Sequence, residues 1–394
     1  MLNKARVWFG QITPLRLAGY LALVIFIFFL FFWDISSLTA GLSPAEVAAR
    51  SGSKGLHAIF NNPVNAPFKF LQYILLKVSP DSIASLKLPS AIMACVFGFC
   101  FYKLASSWFG KLIGGLGTLI FLSLPLFVIS ARQATAEIMF FSAIVLLWLY
   151  AWFSKTTKAK LWASLLLVAS TSFLLYTPGI VWFLIGGLVL CRKPLMIAFA
   201  ELNTWLKIGY ILIFLIIIAP LLVSSVSHTD ALKNLFLIPV NPDSVSAIIK
   251  NTAWGVAAIF IKSPQSQLVI GYLPILNLVA LALVIFGVYA MQAAARKKAI
   301  WLGLMLLLGI LAAGLNGNIV YIALGLPALG LFISAGLRYL YIEWRAIFPR
   351  NPVPKTFALI LIAAVVASQV YYGVRYSLVA WPHSVATKSV YVLK

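Results

Sequence analysis

Charge is scarce in this chain. Of its 394 residues only 10% are charged, and 63% are hydrophobic; a soluble domain carries about 25% charged residues. So few polar groups cannot cover a water-facing surface, which excludes a secreted enzyme, a cytosolic enzyme and a disordered tail. Acids are scarcest, eight Asp and Glu against 30 Lys and Arg, for a net charge of +22. In a soluble protein that excess would suggest nucleic acid. In a chain this apolar it reads as the basic loops that set membrane topology and meet anionic lipid, so no nucleic-acid partner is expected. The three cysteines, Cys95, Cys100 and Cys191, form no CxxC pair, which argues against a disulfide framework or a zinc cluster and leaves core or lipid-facing thiols. No HExxH motif or nucleophile elbow is present, and His57, His228 and His383 share no ligand spacing.

What the chain has is long apolar runs. About 20 helical residues cross the hydrocarbon core, and eleven candidate spans are read at 17–33, 88–107, 112–130, 137–153, 161–176, 179–191, 208–225, 269–290, 300–315, 319–337 and 357–374. The pair 161–176 and 179–191 also reads as one helix broken at Thr177-Pro178-Gly179. The expected fold is thus an all-α polytopic membrane protein, residues 1–394 forming one transmembrane domain with no soluble C-terminal domain. Lys4, Arg6 and Arg16 place the N-terminus in the cytoplasm. Alternation then brings more than half of the basic residues to the cytoplasmic side, mostly in short loops, and leaves the C-terminus outside. Gly114-Gly115-Leu116-Gly117 lacks the Lys-Ser/Thr of a phosphate loop and is expected to permit close helix packing.

Two long external loops are expected, 34–87 and 226–268. In the first, Ser43-Pro44-Ala45-Glu46 is a helix start, with Ser as cap, Pro in the first turn and Glu three residues after the cap. The helix is expected to reach about His57, placing Glu46, Arg50 and His57 on one face. Asn61 to Pro67, which includes Asn65, is a turn-rich break. A second helix at 68–78 carries Phe68, Leu71, Ile74, Leu75 and Val78 on one face. Together these read as helices lying along the membrane surface.

Six of the eight acids fall at the external boundary: Asp34, Glu46, Asp81, Glu137, Asp230 and Asp243. Glu46 reads either as a carboxylate that takes a proton from an acceptor hydroxyl or binds a divalent metal, or as a capping glutamate paired with Arg50. Glu137 is either a second functional carboxylate beside Arg132 or a first-turn acid favoured by the helix dipole. Asp34 reads mainly as a boundary charge after Trp33, and Asp81 as a cap. External cations, among them Arg50, Lys87, Arg132 and Arg375, suit lipid headgroups or a clamp on a lipid-linked phosphate.

The layout resembles the GT-C-type membrane glycosyltransferases, in particular the branch of protein mannosyltransferases and aminoarabinose transferases. The resemblance rests on Ala45-Glu46 after the first span, Asn62-Pro63-Val64-Asn65-Ala66-Pro67 before an interfacial helix, and Leu86-Lys87-Leu88-Pro89-Ser90 at the second span. Trp108-Phe109-Gly110-Lys111 in the next turn and Leu124-Pro125-Leu126-Phe127 with Arg132 and Glu137 complete it. It covers residues 17–190 and the remainder in outline. The chain departs from the pattern at Ala45, Glu137 and Lys87, where the family has Asp, Asp and Arg.

The resemblance implies a multi-pass bacterial inner-membrane enzyme. It would move a sugar from a polyprenyl-phosphate donor to an extracytoplasmic glycan, lipid or protein. Glu46 would be the general base and Glu137 a supporting carboxylate. The two acids are the candidate ligands for a divalent metal such as Mg or Mn. Arg50, Arg132, Lys87 and Arg375 would hold phosphate, with His57, Asn65 and Asp34 as further site candidates. A flippase or transporter for lipid-linked substrates and a non-catalytic scaffold are the rival readings.

Overall fold

The computed structural model describes residues 14–80, 82–155, 160–190, 192, 196, 200, 202–227, 229–241, 243–264, 268–347 and 352–393. Arg16 is described by its backbone alone, and Lys4, Arg6, Asp81, Cys191, Glu201 and His228 lie outside the described residues. Apolar chain in lipid must satisfy its backbone groups internally, and the described residues are accordingly mostly helical, with no strand among them. The protein is a multi-pass helical membrane protein.

Every one of the eleven predicted spans overlaps helix, though 112–130 is divided between two helices and 269–290 is helical only from Leu278 on. Among the described residues, five are long and apolar enough to cross a bilayer alone: Ile83–Phe109, Ala136–Lys155, Thr204–Ser224, Arg296–Asn316 and Thr356–His383. A sixth forms if the bent pair Lys111–Leu122 and Pro125–Ala131, inclined at 67°, is one span. Pro125 at the start of the second piece accounts for the bend, because it cannot continue the hydrogen-bond ladder. Other segments are short; Ile180–Leu190 has 11 residues and reaches only about 17 Å. It is separated from Lys160–Leu174 by Thr177-Pro178-Gly179, where Gly179 takes φ +83°.

In chain order the elements that position the site are α1 (Pro14–Phe31), α2 (Pro44–Gly52), α3 (Leu56–Asn61), α4 (Ala66–Val78), α5 (Ile83–Phe109), α6 (Lys111–Leu122) and α7 (Pro125–Ala131). A 3-10 turn, Ala136–Ser142, then leads into α8 (Ala143–Lys155). The capping box at Ser43 and Glu46 forms in full, with Pro44 in the first turn. The helix does not reach His57. It stops at Gly52 because the buried Ser53 turns its hydroxyl to Gln72 Oε1, at 2.6 Å. On the second helix Phe68 and Gln72 are buried in the protein, whereas Ile74 and Val78 are exposed.

The second long loop folds further than expected. It contains the helix Val245–Phe260, capped by Ser244, which buries Gly255, Ala258 and Ile259 against Arg296–Asn316. A Cβ on Gly314 would overlap the Thr252 hydroxyl, so the two helices touch through their backbones. Close approach through small residues recurs elsewhere. Gly114 lies on Ser106 and Gly117 on Ser334, as the Gly114–Gly117 stretch suggested. The core of the bundle is an aromatic stack in which Phe101 and Phe121 lie parallel at 4.1 Å, with Phe127 and Phe141 meeting edge to face at 4.8 Å.

Leu393 pairs antiparallel with Leu42 in the first loop, through Leu42 N to Leu393 O at 2.7 Å and Leu393 N to Leu42 O at 3.2 Å.

The helix Leu278–Ala294 crosses Leu326–Ile347 where Gly287 and Gly336 face backbone. Gly287→Ala, which drives a methyl into the Phe332 carbonyl, is expected to cost about 1–3 kcal/mol or more. Gly303→Ala, with nothing within 4 Å, is expected to be neutral or slightly stabilising. Thermal midpoints in one detergent compare the two; equal midpoints would contradict the packing described.

Candidate active site

The first loop, the start of α5 and the chain between α7 and the 3-10 turn converge on Glu46. Its side chain is fully buried, and both carboxylate oxygens accept hydrogen bonds. Oε2 accepts from Ser43 N at 2.9 Å, closing the capping box, and Oε1 accepts from Ala134 N at 2.8 Å. The Lys87 ammonium lies 3.9 Å from Oε1 and donates to Thr39 Oγ1 at 3.1 Å. Lys87 sits in the first turns of α5, where Ser82 caps the helix, and it too is buried. It holds the place beside Glu46 that the i, i+4 spacing assigned to Arg50. Arg50 instead donates to Pro80 O at 3.1 Å.

A shell of amides and hydroxyls fixes this pair. Gln72 donates to Leu86 O at 2.9 Å and to Ala134 O at 3.0 Å, tying α4 to both strands of the junction. Ser90 donates to Gln133 O, and Gln133 donates from Nε2 to the Tyr391 hydroxyl at 2.8 Å. Tyr391 follows the short helix Val385–Val390 and is packed edge to face on Trp381. Burial pushes its hydroxyl well above the ordinary phenol range, and the Glu46 and Glu137 charges add to the rise. The C-terminal segment is thereby tied to the junction, with Tyr391 within electrostatic reach of both acids.

Glu137 occupies the first turn of the 3-10 segment, within electrostatic reach of Glu46 and of Tyr321. Its Oε2 is buried without a hydrogen-bond partner. Arg132 is equally close in sequence but is otherwise engaged. Nη1 donates to Leu30 O at 2.9 Å and Nη2 to Trp33 O, so the guanidinium caps the end of α1. Burial lowers its pKa to about 10, with the charge of Asp34 opposing the fall. Arg132 Nε has no hydrogen-bond partner.

The structure thus brings together Glu46, Glu137, Lys87 and Arg132. Asp34 is exposed, takes φ +54° and accepts from Ser37. His57 is exposed on α3, with Nδ1 3.3 Å from Asn61 Nδ2. Asn65, at φ +58°, begins α4; its N–H donates to Tyr176 O at 2.7 Å and its Oδ1 is buried without a partner. Lys69, one turn on, donates to Asn62 O at 2.7 Å and is pushed down to about 8 by burial. Arg375 is exposed where the last long helix passes into a π turn, and donates to the Tyr371 hydroxyl at 2.9 Å. Thr39, Ser43, Gln72, Ser90, Gln133 and Tyr391 are members of the cluster that the sequence reading did not single out. Only Ser43 and Ser90 carried a local signal, the cap and the Pro-Ser at the start of a span.

Of the two acids that would hold a divalent ion, only Glu137 has a carboxylate oxygen, Oε2, without a hydrogen-bond partner. Among the described residues no group of three His, Cys, Asp or Glu side chains forms. Both Glu46 oxygens are taken by backbone N–H groups, and the adjacent cation position holds the Lys87 ammonium.

Comparison with known proteins bears on the fold. The crystal structure of ArnT from Cupriavidus metallidurans in the apo state matches with a TM-score of 0.57 at 15% identity, over 95% of this chain and 78% of that one. The chain carries the GT-C fold. The same ArnT bound to undecaprenyl phosphate matches at 0.51 and 15% identity, over 95% and 75%. The archaeal oligosaccharyltransferase AglB from Archaeoglobus fulgidus, in complex with an inhibitory peptide and a dolichol-phosphate, matches at 0.55 and 14% identity. It is matched over 96% of this chain, which spans 56% of the AglB length. No family model and no curated protein sequence matches the chain.

Removing one partner of a buried ion pair leaves the other uncompensated. Lys87→Met is expected to lower stability by about 3–5 kcal/mol, and Glu46→Gln/Lys87→Met to lose less than the sum of the single changes. Thermal midpoints of the four proteins in detergent measure this; additive losses would separate Lys87 from Glu46.

Proposed function

We propose that the chain is a membrane glycosyltransferase. It transfers a sugar from a polyprenyl-phosphate donor to an extracytoplasmic acceptor, working as one transmembrane unit of about eleven spans. Its N-terminus is cytoplasmic and its C-terminus extracytoplasmic, in a bacterial inner membrane. The observation that carries the reading is the convergence of Glu46, Glu137 and Lys87 at one end of a GT-C fold. A structure with that fold has been solved with undecaprenyl phosphate bound.

The chemistry follows from the groups present. An acceptor hydroxyl placed at Glu46 gives up its proton to the carboxylate while its oxygen attacks the anomeric carbon. The bond between that carbon and the phosphate oxygen breaks, and the phosphate leaves on its lipid. Lys87 neutralises the charge that develops on the leaving phosphate. Glu137 supports the sugar side, and Arg132, through its unpartnered Nε, adds positive field. Arg50 and Arg375, outside the buried cluster, serve the approach of the lipid phosphate. His57, Asn65 and Asp34 have no part in the step as drawn.

One observation favours a non-catalytic scaffold. Glu46 is sealed, and the cavities around Phe109 and Tyr372 open elsewhere. In the catalytic reading the described state is a closed one, and the C-terminal segment moves to admit substrate.

Glu46→Gln separates the two readings. Proteoliposomes containing the purified chain, supplied with polyprenyl-phosphate sugars and extracytoplasmic acceptors, are expected to show transfer. The variant is expected to lose it by about 10²–10⁴-fold per folded molecule, activity being normalised to the monodisperse fraction because the change also leaves Lys87 unpaired. Full activity in the variant would remove the base, and no transfer by the wild-type chain would favour the scaffold.

A further inference from the structure

At the far end of α5, roughly 33 Å from Lys87 along the helix, lies a second constellation that the sugar-transfer reading leaves unused. A cavity of about 270 Å³ opens between the end of α5, the start of α6 and the helix α16, Leu326–Ile347 (α9 to α15 being the helices from Lys160 to Asn316). Phe109, Lys111, Leu112, Arg338, Tyr341 and Ile342 line it.

Cations from four further helices gather around the end of α5. Arg338 Nη1 donates to Trp108 O at 2.8 Å, and Lys155 Nζ to Ser107 O at 3.5 Å. The Lys298 ammonium sits over the Trp108 ring at 4.4 Å, within electrostatic reach of both Lys155 and Arg338. Lys111 lines the cavity itself, and Arg345 lies over the Tyr341 ring at 5.6 Å.

Two of these contacts are helix capping, which bare structure requires. A helix C-terminus, however, carries only about half a negative charge. Several cations packed within reach of one another exceed that, and like charges repel strongly beside an apolar wall. The only described acid on the helices lining the cavity is Glu343, exposed on α16 beyond Arg338. Topological preference accounts for the sign of these residues but not for their convergence on the end of α5, where Lys111 and Arg338 line the cavity. The rim points to the kind of anion. Leu112 and Ile342, next to Lys111 and Tyr341, are 57% and 45% exposed. A free inorganic anion has no use for such a rim, whereas acyl chains would cover it.

We propose that this cavity binds the phosphate headgroup of an anionic phospholipid from the leaflet opposite Glu46. Lys111 and Arg338 face the phosphate, and the acyl chains run over Leu112 and Ile342. The site does not depend on the sugar-transfer reading.

Native mass spectrometry of the full chain, delipidated in detergent and titrated with phosphatidylglycerol or phosphatidylcholine, tests it. The wild-type chain is expected to retain one phosphatidylglycerol in preference to phosphatidylcholine. Each cation near a bilayer surface contributes about fivefold in affinity, so Lys111→Gln/Arg338→Gln is expected to weaken that first binding about 25-fold. Lys54→Gln/Lys388→Gln, at exposed positions near the Glu46 end, is expected to leave it unchanged. Should the double variant fail to fold because Arg338 also caps Trp108, Lys111→Gln alone is read for its fivefold loss. Unchanged lipid preference in the Lys111 and Arg338 variants would overturn the proposal. So would displacement of the lipid by inorganic phosphate at equal concentration, which would make this a site for the free ion.

Discussion

A buried carboxylate is tolerable only when its charge and its lone pairs are matched, and Glu46 is where this molecule meets that requirement. Ser43, Ala134 and Lys87 come from the first loop, the link after α7 and the start of α5, and none would be held in place without the others. Gln72 and Gln133 extend the same junction to α4 and to the C-terminal segment through Tyr391. The geometry of this end of the bundle therefore turns on one anion that cannot be left unpaired. The bundle below it is held by a different force, close van der Waals approach through glycine and stacked phenylalanine, because lipid gives no hydrophobic drive between helices.

The sequence made the local features readable. Apolar runs mark the helices because bilayer thickness and backbone satisfaction leave few alternatives. Ser43-Pro44-Ala45-Glu46 marks a helix start because capping is decided within four residues. Features set by partners distant in the chain were not readable. The stop at Gly52 depends on Ser53 finding Gln72, and the exchange of Arg50 for Lys87 beside Glu46 depends on α5 arriving there. Glu46 and Glu137 were legible as acids where acids are rare. Tyr391 carried no local signal, since only the pairing of Leu393 with Leu42 brings it within electrostatic reach of them. Val245–Phe260 was hidden because Lys250, Asn251 and Trp254 interrupt its apolar pattern, and a tight contact with Gly314 settles it as a helix.

Glu46 answers both as a capping glutamate and as the candidate base, and these roles are compatible. Its hydrogen bonds fix the carboxylate's orientation, which is what a proton acceptor needs, while the Lys87 ammonium beside it suits a phosphate departing with negative charge. In the catalytic reading we propose, the described state is closed and access to Glu46 is assigned to the C-terminal segment, whose backbone is joined to the first loop at Leu42 and Leu393.

That segment offers the most direct test. Leu42 and Leu393 exchange both backbone hydrogen bonds, a pairing that sets Cα atoms about 5.5 Å apart and within disulfide range. Cysteines at both positions allow the segment to be locked by oxidation and freed by reduction, with sugar transfer from a polyprenyl-phosphate donor measured in each state. The account requires that transfer stop in the oxidised protein and return on reduction. Undiminished transfer by the fully oxidised protein would show that substrate reaches its acid by another route, and would contradict it.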